Sequence, residues 1–165
     1  MQEQRLTARL FTKTRRSMKT VDEIIYDALT ADTVIMTATA GRVVSTCFEV
    51  PPDTLDNTPT PNIIVTFDGF QNQTLTKDTV WEGDEDRVQV GVDIAADSPE
   101  EVRQLVRLVR QAIETHVVAL YGSGEQTPML EALSSDGIQW DWMKPCYFQR
   151  LTYQCLTKAD NEEDN

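Results

Sequence analysis

The chain patterns as an α+β domain, a small and mostly antiparallel sheet with two main helices packed on it. Three observations predict this. One segment, "RVQVGVDIAADSPEEVRQLVRLVRQAIETHVV" from Arg87 to Val118, changes its apolar period from two to 3.6 within a few residues. Short β-branched runs cluster before it, separated by Pro, Gly and acidic turns. Amphipathic helical spacing is clear in only two places.

The first is "TVDEIIYDALTA". Thr20 with Glu23 makes a capping-box pattern, and Val21, Ile24, Ile25 and Leu29 share a face, so a helix is predicted from Val21 to about Leu29. The stretch from Thr33 to Ala40 reads as strand or irregular chain. Arg42 to Val50 reads as strand by its β-branched content. "PPDTLDNTPTP" has four prolines in eleven residues and is a loop. "NIIVTFDGF" is a strand closed by a turn at Asp68-Gly69. Thr74 to Trp81 reads as a further strand, joined through "EGDED" as a hairpin to the strand that follows.

In that strand Val88, Val90, Val92 and Ile94 point one way, and Arg87, Gln89, Gly91 and Asp93 the other. The helix after it has Ser98 as N-cap, Pro99 at the first helical position and Glu101 completing a capping box. Val102, Leu105, Val106, Val109, Ala112, Ile113 and Val117 form its apolar stripe, and it should end near Val118 to Leu120. The last segment, "GIQWDWMKPCYFQRLTYQCL", reads as one or two strands. Pro145 interrupts it, and Tyr147, Gln149, Leu151 and Tyr153 face opposite Phe148, Arg150 and Thr152. The expected organisation is a basic arm at 1–19, a single domain at 20–157 and an acidic, disordered tail at 158–165. The alternatives for the arm are a presequence, or an extension upstream of a true start at Met18.

Composition narrows the function. The net charge of −12 argues against general nucleic-acid or anionic-membrane binding, although Arg5, Arg9, Lys13, Arg15, Arg16 and Lys19 make the first residues basic. Cys47, Cys146 and Cys155 are odd in number and have no CxxC spacing, so they read as buried free thiols in a reducing compartment. His116, the sole histidine, sits at the border of the helical stripe and suits a boundary position better than a catalytic one. Neither GxGxxG nor GxxxxGK[ST] occurs, and "YGSGEQ" follows a helix rather than opening one, so it lacks the dipole of a phosphate cradle.

Glu82, Asp84, Glu85 and Asp86 are a solvated turn in the simplest reading. Their alternative is a weak Mg²⁺ or Ca²⁺ site in a metal-dependent hydrolase, with Asp141 and Lys144 a sparser candidate. Arg103, Arg107 and Arg110 share a helix face at i, i+4 and i+7, as a solvated face or a docking surface that meets the acidic turn (Asp84, Glu85, Asp86) of an identical neighbour. Trp140 and Trp142 read as core, with edge-strand interface anchors as the alternative.

The order of these signals resembles the tail-terminator proteins of long-tailed bacteriophages and prophages, also called tail-completion or head–tail joining proteins. The resemblance rests on the helix around "IIYDAL", on "AGRVV" at Ala40 to Val44, on the Pro-rich loop entering "PNIIVTF" at Pro61 to Phe67, and most of all on "RVQVGVDIAADSPEEVRQLVRLVRQAI" at Arg87 to Ile113. The strands around "CYFQRLTYQC" match only in kind, and the basic arm and acidic tail have no counterpart. The resemblance implies a non-enzymatic virion protein, assembled in the bacterial host cytoplasm. It would form a homo-oligomeric ring, often a hexamer, on the end of the tail tube. The ring would end tube polymerisation and meet a head-side connector protein. Another head–tail connector or neck subunit fits the same pattern. No cofactor, metal or small-molecule substrate is expected. A module binding nucleic acid through the basic arm is the reading from a different class.

Overall fold

The computed structural model describes residues 20–46, 57–73, 85–123 and 129–158. The element order is α1 (Val21–Ala31), α2 (Thr33–Ala38), β1 (Val43–Ser45), β2 (Asn62–Gln73), β3 (Glu85–Ala96), α3 (Pro99–Gly122), β4 (Met129–Ser135), β5 (Gln139–Asp141) and β6 (Cys146–Lys158). The expected α+β class is what these elements build.

The strands form one six-stranded sheet in the order β1-β2-β3-β6-β4, with β5 also paired to β6. Only β1 and β2 run parallel; the other pairs are antiparallel. β4 pairs with β6 at Leu151–Leu156 and β5 with β6 at Cys146–Phe148, so the two lie end to end along one edge of β6.

β3 is central because its inward positions are wholly apolar. Val90, Val92 and Ile94 are 0% exposed. They stand opposite Tyr153, Leu151 and Gln149 of β6 and opposite Phe67, Val65 and Ile63 of β2. α3 lies over this face with Val102, Leu105, Val109, Ala112, Ile113 and Val117 buried, and α1 completes the layer with Ile24, Ile25, Ala28 and Leu29. Ser98 caps α3 as expected, its Oγ accepting from the Glu101 amide at 3.2 Å. The Thr20 amide donates to Glu23 Oε2 at 2.9 Å at the start of α1.

The structure corrects five expectations. Thr33 to Ala38 is helix, not strand or irregular chain. Asp32 Oδ1 accepts from the amides of Val34 and Ile35, and Ile35 is buried in the core, so capping and packing override the β preference of Thr, Val and Ile. α2 ends where Ala40 and Gly41 take positive φ angles of 50° and 74° and the Gly41 amide donates to the Met36 carbonyl.

Asp68-Gly69 is not a turn. The strand runs through it on a bulge between Phe67 and Gly69, with Gly69 at φ 123°, and continues to Gln73. β3 is paired on both edges along its described length, by β2 and β6, so the hairpin expected from Thr74 to Trp81 is not made there. That expected strand, and the strand residues from Cys47 to Val50, lie outside the described residues.

α3 continues past Leu120 to Gly122 and closes at Ser123, whose Oγ donates to the Leu120 carbonyl. The tryptophans are not core: Trp140 is 37% exposed and Trp142 is 87%. β4, an exposed edge strand, matches no predicted element.

Candidate functional site

Helices cover one face of the sheet. On the other, Ile64, Thr66, Gly91, Asp93, Ala95, Phe148, Arg150 and Thr152 alternate with the buried positions. Asp93 and Arg150 are direct cross-strand partners on β3 and β6, joined by an Arg150 Nη1–Asp93 Oδ2 bond of 2.6 Å. The Arg150 side chain then crosses the next strand. Its Nη2 donates to Thr66 Oγ1 at 3.2 Å and to Asp68 on β2.

The crossing is possible because residue 91 is glycine. A Cβ there would fall on the guanidinium carbon and nitrogens. Burial pushes the Asp93 carboxyl above the usual carboxylate value, and Arg150 pulls it only part of the way back.

Beside this network is a concavity of about 730 Å³. Ile64, Ala95 and Phe148 line it, with Asp93 and Arg150 on one flank. One rim is the loop from Asn57 to Asn62, held by Asn62 Nδ2 donating to the carbonyls of Thr58 and Pro59 and by Arg42 donating to those of Thr60 and Pro61. The Thr60–Pro61 peptide is cis. The other rim is the turn from Asp141 to Cys146.

Asp141 is committed to that turn. Its Oδ1 accepts from the Met143 amide at 2.9 Å and the Lys144 amide at 3.3 Å. Both of these contacts are to backbone amides and neither uses the Lys144 side chain. The turn presents Trp142 and Met143, 87% and 92% exposed, with Trp142 packed edge-on against Trp140 and Trp140 against Tyr147.

Arg103, Arg107 and Arg110 are all exposed on α3. Asp84 lies outside the described residues. Glu85 and Asp86 open β3 in register with Lys158 and Thr157 of β6, and their side chains are not described. His116 is half-buried, at the boundary position expected of it. It lines a second groove, of about 450 Å³, between the α1–α2 junction and α3.

Among the described residues no group of three or more His, Cys, Asp or Glu side chains is placed to hold a metal ion, and no helix is long and apolar enough to cross a membrane. Cys146 and Cys155 are buried and unbridged. Burial pushes the Cys155 thiol up to about 11, so at neutral pH it is a protonated packing group. Cys47 lies outside the described residues.

A chain of a solved structure described as the virion of a native gene transfer agent particle has a TM-score of 0.51 to this one. The match covers 84% of this chain and 95% of that one. The two chains share a fold. Their sequences are 14% identical, so the likeness belongs to the architecture and not to particular side chains. No family model and no curated protein matches the sequence.

Sequence reasoning placed Asp93 on the strand face opposite the core and the three arginines on one helix face. It missed the Arg150 crossing and the Trp142–Met143 projection. Gly91, on the same strand face as Asp93 and two residues before it, was the sign of the first. The polar residue between two tryptophans, followed by Lys-Pro, was the sign of the second.

Proposed function

We propose that this protein is a structural component of a phage-like virion, a tail terminator that forms a ring on the end of the tail tube. The ring stops tube growth and presents a surface to the head-side connector. The observation that carries this reading is the fold shared with a virion chain over most of both lengths. The order of motifs from Thr20 to Val118 supports it. Its partners are further copies of itself, the tail-tube protein and the head-side connector. It works through shape rather than catalysis.

Arg103, Arg107 and Arg110 of one copy meet Asp84, Glu85 or Asp86 of the next, because opposite charges that come together at a subunit boundary fix its register. The reading is tested by native mass measurement and sedimentation, with electron microscopy of the protein mixed with tail tubes. A closed homo-oligomer seated on tube ends is expected. A strict monomer at all concentrations, with bare tube ends, overturns it. A ring that seats on the head portal and leaves tubes uncapped favours the connector reading, which the same fold likeness supports.

A further inference from the structure

The open face of the sheet holds the larger concavity, and its charges do not balance. Three carboxylates around it each keep an oxygen with no described hydrogen bond. Asp93 uses Oδ2 on Arg150, Asp97 uses Oδ1 on the Thr60 hydroxyl, and Asp141 uses Oδ1 on two backbone amides. The cations there are already engaged. Arg150 is shared by Asp93 and Asp68, Arg42 donates to the carbonyls of Thr60 and Pro61, and Lys144 is engaged as well. Burial raises the Asp93 carboxyl against the pull of Arg150, and the charges of Asp68 and Asp136 raise it further.

Among the described residues, the unmet charge of this concavity is therefore negative, while its floor of Ile64, Ala95 and Phe148 is apolar. Such a site suits a ligand that is apolar in the middle and cationic at its ends. An apolar group alone would strip water from the Asp93–Arg150 pair. Flanking cations give the carboxylates a partner in its place.

The chain itself supplies a segment of this kind. Residues 1–19 hold six of its 15 Lys and Arg and one of its 27 acids. Within them, "RLFTK" sets Leu10 and Phe11 between Arg9 and Lys13. These residues lie outside the described ones and join them at Thr20, where α1 begins. Roughly 30 Å of extended chain separates Phe11 from Thr20, and packed layers lie about 10 Å apart, so the segment can reach past the sheet to its open face. The groove between the α1–α2 junction and α3 is the poorer seat, because Asp32 is the one carboxylate lining it and already caps α2. We infer that Arg9–Lys13 seats in the concavity of its own chain, with Leu10 and Phe11 on the floor and Arg9 and Lys13 at the acidic rims. The seat does not rest on the ring reading above.

The test uses the full chain with p-benzoylphenylalanine in place of Phe11, an aromatic exchange at the centre of the segment. Irradiation followed by mass spectrometry is expected to join residue 11 to peptides carrying Ile64, Ala95 or Phe148. Mixing isotopically light and heavy protein is expected to show that the join forms within one copy. Arg9→Glu with Lys13→Glu is expected to lose most of the yield, as is high salt, which screens the charges. Ala95→Lys, which puts a cation on the floor, is expected to do the same, with thermal melting checking that the fold is kept. The arm variant changes no residue of the described core, so it decides the matter if Ala95→Lys does not fold.

No cross-link, a cross-link to other surfaces, or one only between light and heavy copies overturns the seat. So does a yield that is the same in the parent and the charge-reversed arm. Rings without the cross-link overturn the seat and leave the ring reading standing. A monomer with the cross-link does the reverse.

Discussion

At the scale of single residues, Arg150 and Gly91 are one feature written in two places. A guanidinium can cross β3 only over a residue with no side chain. Gly91→Val is therefore expected to displace Arg150 from Asp68 and Thr66 and to lower stability by about 1–3 kcal/mol. Combined with Arg150→Ala it should cost less than the sum of the two, because the valine then has nothing to strike. Denaturant unfolding of the four proteins in the cycle measures this, and simple additivity would refute the coupling.

Asp93 gives a pH signature. Its folded pKa is raised, chiefly by burial, so the native state holds this proton more tightly than the unfolded chain does. Stability from this group is therefore lost as pH rises through the folded value and regained as pH falls toward the ordinary carboxylate range. Relative to Asp93→Asn, the parent is expected to gain stability on acidification from neutral pH, and to level off below the unfolded value. A difference that stays flat with pH would show the carboxyl to be unperturbed.

At the scale of elements, legibility followed periodicity. β3 and α3 were plain because one face of each is buried, and burial imposes a period that residues must obey. α2 was not legible. It is six residues long, too short to show a period, and Thr, Val and Ile argue for strand. What decides it is the Asp32 cap together with the core around Ile35, and the second of these is tertiary. Asp32→Ala is expected to cost about 1 kcal/mol by removing the cap, while Asp32→Asn keeps it; thermal melting separates them, and equal losses would assign the effect to charge instead.

The Asp68-Gly69 bulge was misread because a bulge and a tight turn use the same dipeptide. Only a partner strand on the far side tells them apart. β4 was invisible for a related reason: Leu130 packs against the core while Glu131 to Ser135 are all exposed, so this edge strand carries no sustained alternation. The tryptophans misled in the opposite direction. Their alternation with Gln139 and Asp141 marks a strand, but β5 lies on an edge with little above it.

At the scale of the molecule, the class of fold was readable from the order of elements, whereas the surfaces were not. Which surfaces matter depends on where loops and strand edges come to rest. The arginine stripe is the exception, because helical spacing alone puts Arg103, Arg107 and Arg110 on one side. Arg107→Glu is expected to weaken assembly, read as a shift of the sedimentation profile toward smaller species, with the melting temperature unchanged. Assembly equal to that of the parent would remove this stripe from the contact.

The Arg150 crossing has a consequence at this scale too. A sheet covered on one face is free to flex about its strand axes, and the covering helices limit that freedom only from their own side. Arg150 ties β6, β3 and β2 together from the other side. In a closed assembly each copy hands its angular error to the next, and the errors must sum to nothing when the circle meets itself. A brace across three strands holds the curvature of every copy to one value, and in the proposed ring would set how much misfit the circle has to absorb.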